Sequence, residues 1–212
     1  MPDPCCLAED TDLHEKELSG LVLCGGQSSR MGSDKGLLIH NKKFWVSVVS
    51  DLLQNFVPEV YISLRQNQLP AYGKIFSPTQ LIADSDEITA MGPLKGLASV
   101  QSRYPEKNWL VAACDMISLN QSVISGLIQD YQNFPEHDIY VYKQKETLEP
   151  LCAIYTGEAI HKMYKMSQAT NNYSVQENLV PQKCRILSMD NEADSSALAN
   201  YNTPGDISRN PL

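Results

Sequence analysis

The sequence predicts a three-layer α/β fold in which a mostly parallel sheet carries helices on both faces. Short apolar runs alternate with segments of helical spacing, the run Trp109 to Cys114 is apolar almost throughout, and a glycine pair ends the first run. A strand that is apolar on both sides is typical of a sheet covered on both faces. In such sheets, ligands bind at the carboxyl ends of the strands.

The individual elements follow from these patterns. The first strand runs through Leu21 to Cys24, and apolar residues from Phe44 to Phe56 recur at helical spacing after the glycine loop. Gly25, Asp84 and Asp115 each follow a predicted strand, so we expect them at one edge of the sheet. The later elements are strands near 60–64, 80–84, 109–114, 139–142, 151–155 and 185–189, and helices from Gly92-Pro93, through 123–131, and near 158–166 and 174–179.

The size of the chain predicts a single domain. With 212 residues, of which 42% are apolar, it can bury one large core. We expect this domain to span residues 18–212 and the acidic leader at residues 1–17 to be mobile.

The charge limits the classes of partner. A formal charge of −8 argues against a nucleic-acid surface or an anionic membrane, because both need a broad basic face. No apolar segment approaches the roughly 18 residues of a membrane span, and the N-terminus lacks a basic-then-apolar signal. We therefore expect a cytoplasmic protein.

Cysteine and histidine spacing predicts no disulfide framework and no zinc site. Cys24, Cys114 and Cys152 lie inside apolar runs, as small buried thiols do, and the adjacent pair Cys5-Cys6 has no C-x-x-C partner. The 4 histidines show no H-E-x-x-H spacing.

The most informative stretch is the loop after the first strand, which has the composition of a polyphosphate site. Gly25 and Gly26 permit backbone angles that a Cβ would forbid, so their amides can point at an anion. Arg30 and Lys35 add positive charge beside those backbone donors. A Walker loop would require Gly-Lys-Ser/Thr, and the G-x-G-x-x-G fingerprint is also absent.

The extended pattern L-x-G-G-x-x-x-R-M-G-x-D-K, from Leu23 to Lys35, resembles the opening motif of nucleotidyltransferases with a glycosyltransferase-A-like fold. Among them it most resembles the molybdenum cofactor guanylyltransferases. Cys24 stands where that family usually has Ala. The resemblance implies a Rossmann-like, nucleotide-diphospho-sugar transferase-like sheet, and it implies that Leu23, Cys24, Gly25, Gly26 and Lys35 bind the nucleotide.

Asp115 is the candidate metal ligand. A carboxylate after a buried strand suits Mg²⁺ that bridges triphosphate oxygens, although an Asp at this place also commonly caps the next helix. Ala113 to Leu119 resembles the family's C-D-x-P-x-L segment, whose Asp binds the metal. Met116-Ile117 replaces the usual residue-Pro pair, which leaves the loop geometry open.

Asp84 corresponds to the family Asp that contacts the guanosine. A carboxylate that accepts from guanine N1 and N2 would select this base. Two alternatives stay open: a solvated acidic turn, or the same role for Asp86 or Glu87.

Three further segments match family motifs. Gly92 to Gly96 matches a G-P-L-x-G turn that we interpret as mainly structural, with Lys95 in reach of a phosphate. Glu149 to Tyr155 resembles the segment lining the acceptor side, and an edge strand begun by proline explains it equally well. Asn200 to Pro204 matches N-x-N-T-P, which implies that Asn202 lies near the metal or the acceptor phosphate.

The resemblance implies transfer of GMP from GTP to molybdenum-molybdopterin, with Arg30, Lys35 and Asp115 as catalytic residues and Mg²⁺ as the cofactor. It also implies a monomer or weak homo-oligomer that contacts molybdoenzymes or cofactor-biosynthesis proteins. Open alternatives are a cytidylyltransferase, a transferase for a sugar-phosphate or phospholactate acceptor, and a non-catalytic nucleotide-binding regulator.

Overall fold

In the computed structural model, residues 17–25, 34–179, 183–189 and 196–201 are described. The strands are β1 (Leu18–Leu23), β2 (Ile39–His40), β3 (Lys43–Phe44), β4 (Val60–Leu64), β5 (Leu81–Ala83), β6 (Asn108–Ala113), β7 (Ile139–Gln144), β8 (Thr147–Tyr155) and β9 (Cys184–Ser188). The helices are α1 (Trp45–Leu53), α2 (Leu69–Tyr72), α3 (Gly92–Arg103), α4 (Gln121–Asn133), α5 (Gly157–Thr170) and α6 (Val175–Asn178), with 3-10 turns at Lys35–Leu37, Gln66–Gln68 and Pro78–Gln80. The leader lies outside the described residues apart from Glu17.

Seven strands form the main sheet, in the order β5-β4-β1-β6-β8-β7-β9. The pairs β5/β4, β4/β1, β1/β6 and β7/β9 are parallel, while β8 is antiparallel to both of its neighbours. The prediction of a mostly parallel sheet is therefore confirmed. The small antiparallel pair β2/β3 is an addition that the sequence patterns did not indicate.

Helices cover both faces of the sheet, which confirms the three-layer prediction. On one face, α1 and α4 pack their apolar sides on the sheet through residues such as Val49 and Leu127. On the other face, α3 and α5 do the same through Leu97 and Met163. Within each helix the apolar residues recur at helical spacing, so each helix buries one side and leaves the other to solvent. Among the described helices, none is long and apolar enough to cross a membrane.

The edge-strand interpretation of the segment from Glu149 is wrong. Strand β8 begins at Thr147 and lies inside the sheet, between β6 and β7. Pro150 is tolerated there because the β7/β8 register shifts between Val141 and Lys143, opposite this part of β8. A proline lacks a backbone N–H, and such an irregularity removes the need for one.

Candidate active site

A cleft opens where β1, β4, β5 and β6 end, at the carboxyl edge of the parallel part of the sheet. The expectation that Gly25, Asp84 and Asp115 share one edge is confirmed, since all three line this cleft. The cleft holds about 670 Å³ of empty space, its open mouth included. Its walls are formed by Leu23, Cys24, Gly25, Lys35, Ser63, Asp84, Gly92, Pro93, Gly96, Ala113, Cys114, Asp115 and Leu151.

An ion pair forms one end of the cleft, which we name the Lys35 end. Lys35 Nζ lies 2.8 Å from Asp115 Oδ2, although the two residues are 80 positions apart in sequence. Lys35 opens a 3-10 turn, and Asp115 follows β6. The Lys35 end thus presents an ammonium and a hard oxygen ligand side by side, a combination suited to a polyphosphate with its divalent ion.

The loop around Asp115 is held by backbone contacts and does not cap a helix. The Asn120 side chain accepts from Val123 N at 3.0 Å and caps α4, so the capping alternative for Asp115 is wrong. The Asp115 carbonyl accepts from Tyr201 N at 3.1 Å. Ile117 and Tyr201 pack in one buried cluster, which fixes the loop in the absence of the family's proline.

Asp84 defines the opposite end of the cleft, which we name the Asp84 end. Its Oδ1 is buried with no hydrogen-bond partner in the described structure, and a Cβ added to Gly25 would lie 3.6 Å from its Oδ2. Burial raises the pKa of Asp84 to about 6, against the lowering effects of Lys95 and Arg65. Asp86 and Glu87 are exposed, whereas Asp84 is half-buried. Asp84 therefore differs from its acidic neighbours and is not a fully solvated turn residue.

Arg65, which was not among the predicted site residues, follows β4 at the Asp84 end. Its Nε is buried and lacks a hydrogen-bond partner in the described part of the chain. The available signal was a charged residue directly after the predicted strand at 60–64, at the edge where ligands bind.

Glu149 is a further carboxylate near the cleft, and the charge of Asp115 affects its pKa. Burial raises the pKa of Glu149 and the charge of Asp115 adds to this, while the Leu151 amide and the Asn200 side chain act in the opposite direction. Leu151 N donates to Glu149 Oε1 at 3.2 Å. Asn200, the first Asn of the N-x-N-T-P segment, therefore hydrogen-bonds Glu149, two residues before the cleft residue Leu151.

The turn at Gly92 to Gly96 has the structural role expected of it. Pro93 lies in the first turn of α3, and Gly92 has a φ of 58°, a conformation that side chains disfavour. A Cβ at Gly96 would lie 2.5 Å from Ser63 Oγ, so glycine lets α3 approach β4 closely.

The remaining predicted site residues divide into two groups. Leu23 and Cys24 line the cleft with Gly25. Gly26, Arg30 and Asn202 lie outside the described residues.

The cysteines of the cleft are buried packing residues. Cys24 and Cys114 are buried free thiols, and burial, with Cys114 as its neighbour, raises the pKa of Cys24. Among the described residues, no three His, Cys, Asp or Glu side chains meet to hold a metal by themselves. A metal bound at Asp115 would therefore share its other ligands with the substrate and water, as Mg²⁺ commonly does.

A mostly parallel sheet with a glycine loop, a lysine and a carboxylate at its carboxyl edge defines a nucleoside triphosphate-using class of protein. The family model of the MobA-like NTP transferase domain matches residues 20–183, and the chain belongs to this family.

Three similar proteins illustrate the relationship. The chain is 30% identical over 195 residues to a molybdenum cofactor biosynthesis bifunctional protein of Synechocystis, covering 92% of this chain but only 54% of that protein. It is 27% identical over 157 residues to a probable molybdenum cofactor guanylyltransferase of Geobacillus, covering 74% of this chain and 78% of the relative. The crystal structure of molybdopterin-guanine dinucleotide biosynthesis protein A from Archaeoglobus fulgidus superposes with a TM-score of 0.74 at 19% identity, over 90% of this chain and 95% of that one, which shows a shared fold.

Proposed function

We propose that this protein transfers GMP from GTP to the terminal phosphate of molybdenum-molybdopterin and releases pyrophosphate. The observation that carries the proposal is that one cleft holds the Lys35–Asp115 pair at one end and the half-buried Asp84 carboxylate, whose Oδ1 has no hydrogen-bond partner in the described structure, at the other. A nucleotide needs both: charge compensation for its phosphates and a selective acceptor for its base. Family membership supports the choice of reaction.

The chemistry demands positioning more than proton transfer. The acceptor phosphate is already an anionic nucleophile, so attack on the α-phosphorus of GTP requires no strong base. The bond between the α-phosphorus and the bridging oxygen breaks as the new phosphoanhydride forms, and charge builds on the departing pyrophosphate. We assign Lys35, Arg30 and the amides of Gly25 and Gly26 to hold the phosphates in line and to neutralise this charge.

Asp115 fits the role of protein ligand to Mg²⁺. Its carboxylate is a hard oxygen donor at the cleft surface, and GTP phosphate oxygens and water would complete the ligand set. When bound, Mg²⁺ supplies Lewis-acid neutralisation of the phosphate oxygens. Lys35 Nζ contacts Asp115 Oδ2 at 2.8 Å, and its flexible side chain can turn from there to a nearby phosphate.

Asp84 fits the role of guanine acceptor. Guanine N1–H and the N2 amine form a donor pair that a carboxylate can bind with its two oxygens, whereas adenine and cytosine lack this pair. Its Oδ1 is buried without a hydrogen-bond partner in the described structure, and a ligand with donors would lower the free-energy cost of that burial.

We place Asn202 and Glu149 on the acceptor side and the protein in the cytoplasm, as a monomer or weak homo-oligomer. The acceptor, molybdenum-molybdopterin, is made and consumed by other proteins, so contacts with molybdoenzymes or cofactor-biosynthesis proteins belong to the same proposal.

The test is release of pyrophosphate from each of GTP, CTP, ATP and UTP in the presence of Mg²⁺, with and without molybdenum-molybdopterin. We expect release only with GTP and acceptor together, and a guanine dinucleotide product by mass spectrometry. Preference for CTP would replace the guanylyl assignment with a cytidylyl one. Nucleotide binding without turnover on the pterin, a sugar phosphate or phospholactate would favour a regulator.

A further inference from the structure

Asp34, the residue before Lys35, has a carboxylate that three hydrogen-bond donors hold in place. Oδ1 accepts from Tyr72 OH at 2.8 Å and from Gly36 N at 3.1 Å. Oδ2 accepts from Gln68 Nε2 at 2.6 Å. Asp34 thus caps the 3-10 turn that begins with Lys35 and also ties this turn to a distant part of the chain.

The two distant donors are themselves fixed. Tyr72 is fully buried and Gln68 nearly so. Gln68 Nε2 also donates to the carbonyl of Cys24 at 3.2 Å, and Gln68 Oε1 accepts from Arg65 N at 2.8 Å. Gln68 therefore links the end of β1, the segment after β4 and the Lys35 turn in one network.

Tyr72 can act only as the donor to Asp34, because its hydroxyl stays protonated. Burial raises the pKa of Tyr72 far above its ordinary value, so the O–H is available to Asp34 at any working pH. The ring approaches the turn so closely that a Cβ added to Gly36 would overlap with the Tyr72 hydroxyl. Gly36 is therefore required by this contact.

The network acts on the residue that the proposed reaction uses. The turn is closed by Leu37 N to Asp34 O at 3.1 Å and Leu38 N to Lys35 O at 3.0 Å, so fixing the Asp34 side chain fixes the Lys35 backbone. From that backbone the Lys35 ammonium reaches Asp115 at the same end of the cleft.

We propose that Asp34, locked by Tyr72 and Gln68, is the positioning residue for Lys35 and sets the place from which its ammonium meets the phosphates. The inference deepens the proposed function and rests on it. A misplacement of a catalytic group by about 1 Å can lower a rate by about 10²-fold, so a buried network behind Lys35 has a direct effect on turnover. A carboxylate suits the position because all three neighbours are donors, whereas an amide would turn its own N–H₂ toward one of them.

The first test is a double-mutant cycle between Tyr72→Phe and Lys35→Ala. Tyr72→Phe keeps the ring and removes one hydrogen bond to Asp34. We expect it to lower kcat by roughly tenfold with the KM for GTP changed by less than about threefold, and to have no further effect on kcat in the Lys35→Ala background. Equal effects of Tyr72→Phe in both backgrounds would show that Tyr72 does not act through Lys35 and would overturn the proposal.

The matched control is Tyr142→Phe. Tyr142 is also buried and donates to the Val123 carbonyl at 3.0 Å, in a part of the fold away from the Lys35 turn. We expect Tyr142→Phe to lower the melting temperature about as much as Tyr72→Phe while leaving kcat unchanged. A loss of kcat in both variants, in proportion to their melting temperatures, would attribute the effect to stability and contradict positioning.

A second readout does not need turnover. The rate of reductive methylation at Lys35, followed by peptide mass spectrometry with the exposed Lys43 as internal reference, reports how firmly the ammonium is held. We expect Tyr72→Phe and Asp34→Asn to raise the Lys35 rate several-fold and to leave Lys43 unchanged. An unchanged Lys35 rate would overturn the inference, whereas a wild-type protein that turns over no nucleotide would overturn the proposed function alone.

Discussion

The two ends of the cleft treat charge in opposite ways. At the Lys35 end, Lys35, Asp115 and Asp34 all have partners at 2.8 Å or less. At the Asp84 end, Asp84 Oδ1 and Arg65 Nε are buried and have no hydrogen-bond partner in the described structure. A buried unsatisfied group costs about 1–3 kcal/mol, and a ligand with matching groups can lower that cost.

This difference indicates a division of labour. Paired charges hold a geometry before any ligand arrives, as groups that stabilise a transition state must. A buried acceptor without a hydrogen-bond partner instead discriminates between ligands. A ligand that lacks donors leaves the acceptor unsatisfied, so the free-energy cost of its burial remains. We therefore expect substitutions at the Lys35 end to change the rate with every nucleotide, and substitutions at the Asp84 end to change which nucleotide is preferred.

The largest effect is expected for Asp115. Asp115→Ala removes the metal ligand, and Asp115→Asn keeps an oxygen but loses the charge that holds Mg²⁺, so kcat should fall by on the order of 10³-fold in both. Steady-state kinetics with GTP and circular dichroism would check this, with the fold and much of the nucleotide binding retained. Turnover near the wild-type rate would remove Asp115 from the mechanism.

Lys35→Ala should lower kcat by about 10²-fold, more than it weakens GTP binding, because its ammonium stabilises charge that develops during transfer. Separate measurements of kcat and of the GTP dissociation constant distinguish the two. A loss confined to affinity would make Lys35 a ground-state clamp.

Asp84→Ala should flatten the preference for GTP over ITP and CTP by about ten- to a hundredfold, since a hydrogen bond to a charged acceptor contributes roughly 1.5–3 kcal/mol. ITP lacks the N2 amine, and CTP lacks the donor pair. The exposed neighbours provide matched controls, and Asp86→Ala should leave both ratios unchanged. Altered ratios in that control but not in Asp84→Ala would move the base site to Asp86.

The smallest effect concerns stability and pH. Burial raises the pKa of Asp84 from 3.8 to about 6, so the folded state binds more protons than the unfolded state between these values. Its contribution to stability is full below about pH 4 and is lost as the pH rises through about 6. Asp84→Asn abolishes this titration. The melting temperature of the variant minus that of wild type should therefore increase by a few degrees as the pH rises from 4 to 8, in thermal scans without nucleotide. A difference that stays constant with pH would contradict the buried-carboxylate description.

Local patterns were sufficient to predict the layers of the fold and the common edge of Gly25, Asp84 and Asp115. Each of these depends on residues close in sequence, through apolar periodicity or the end of a strand. The interior position of β8 could not be predicted, because Pro150 signals an edge and only the register shift of β7 makes it acceptable.

The contacts that organise the cleft are long-range and leave no local signal. Lys35 and Asp115 are 80 positions apart, and Asp34 and Tyr72 are 38 apart. Tyr72 lies in the short helix α2, where its sequence neighbours give no indication of a role at the Lys35 turn. Arg65 differs, since its position directly after β4 is a local signal, but the burial of its Nε is visible only in the structure.

The most direct test of the division of labour is one matrix of kcat/KM values, for GTP and CTP, in wild type, Lys35→Ala and Asp84→Ala. We predict that Lys35→Ala lowers both values by a similar factor and keeps their ratio, while Asp84→Ala brings the ratio toward one with a smaller loss of rate on CTP. If Asp84→Ala instead lowers both values equally, or Lys35→Ala changes the ratio, the two ends of the cleft do not divide catalysis and base choice between them.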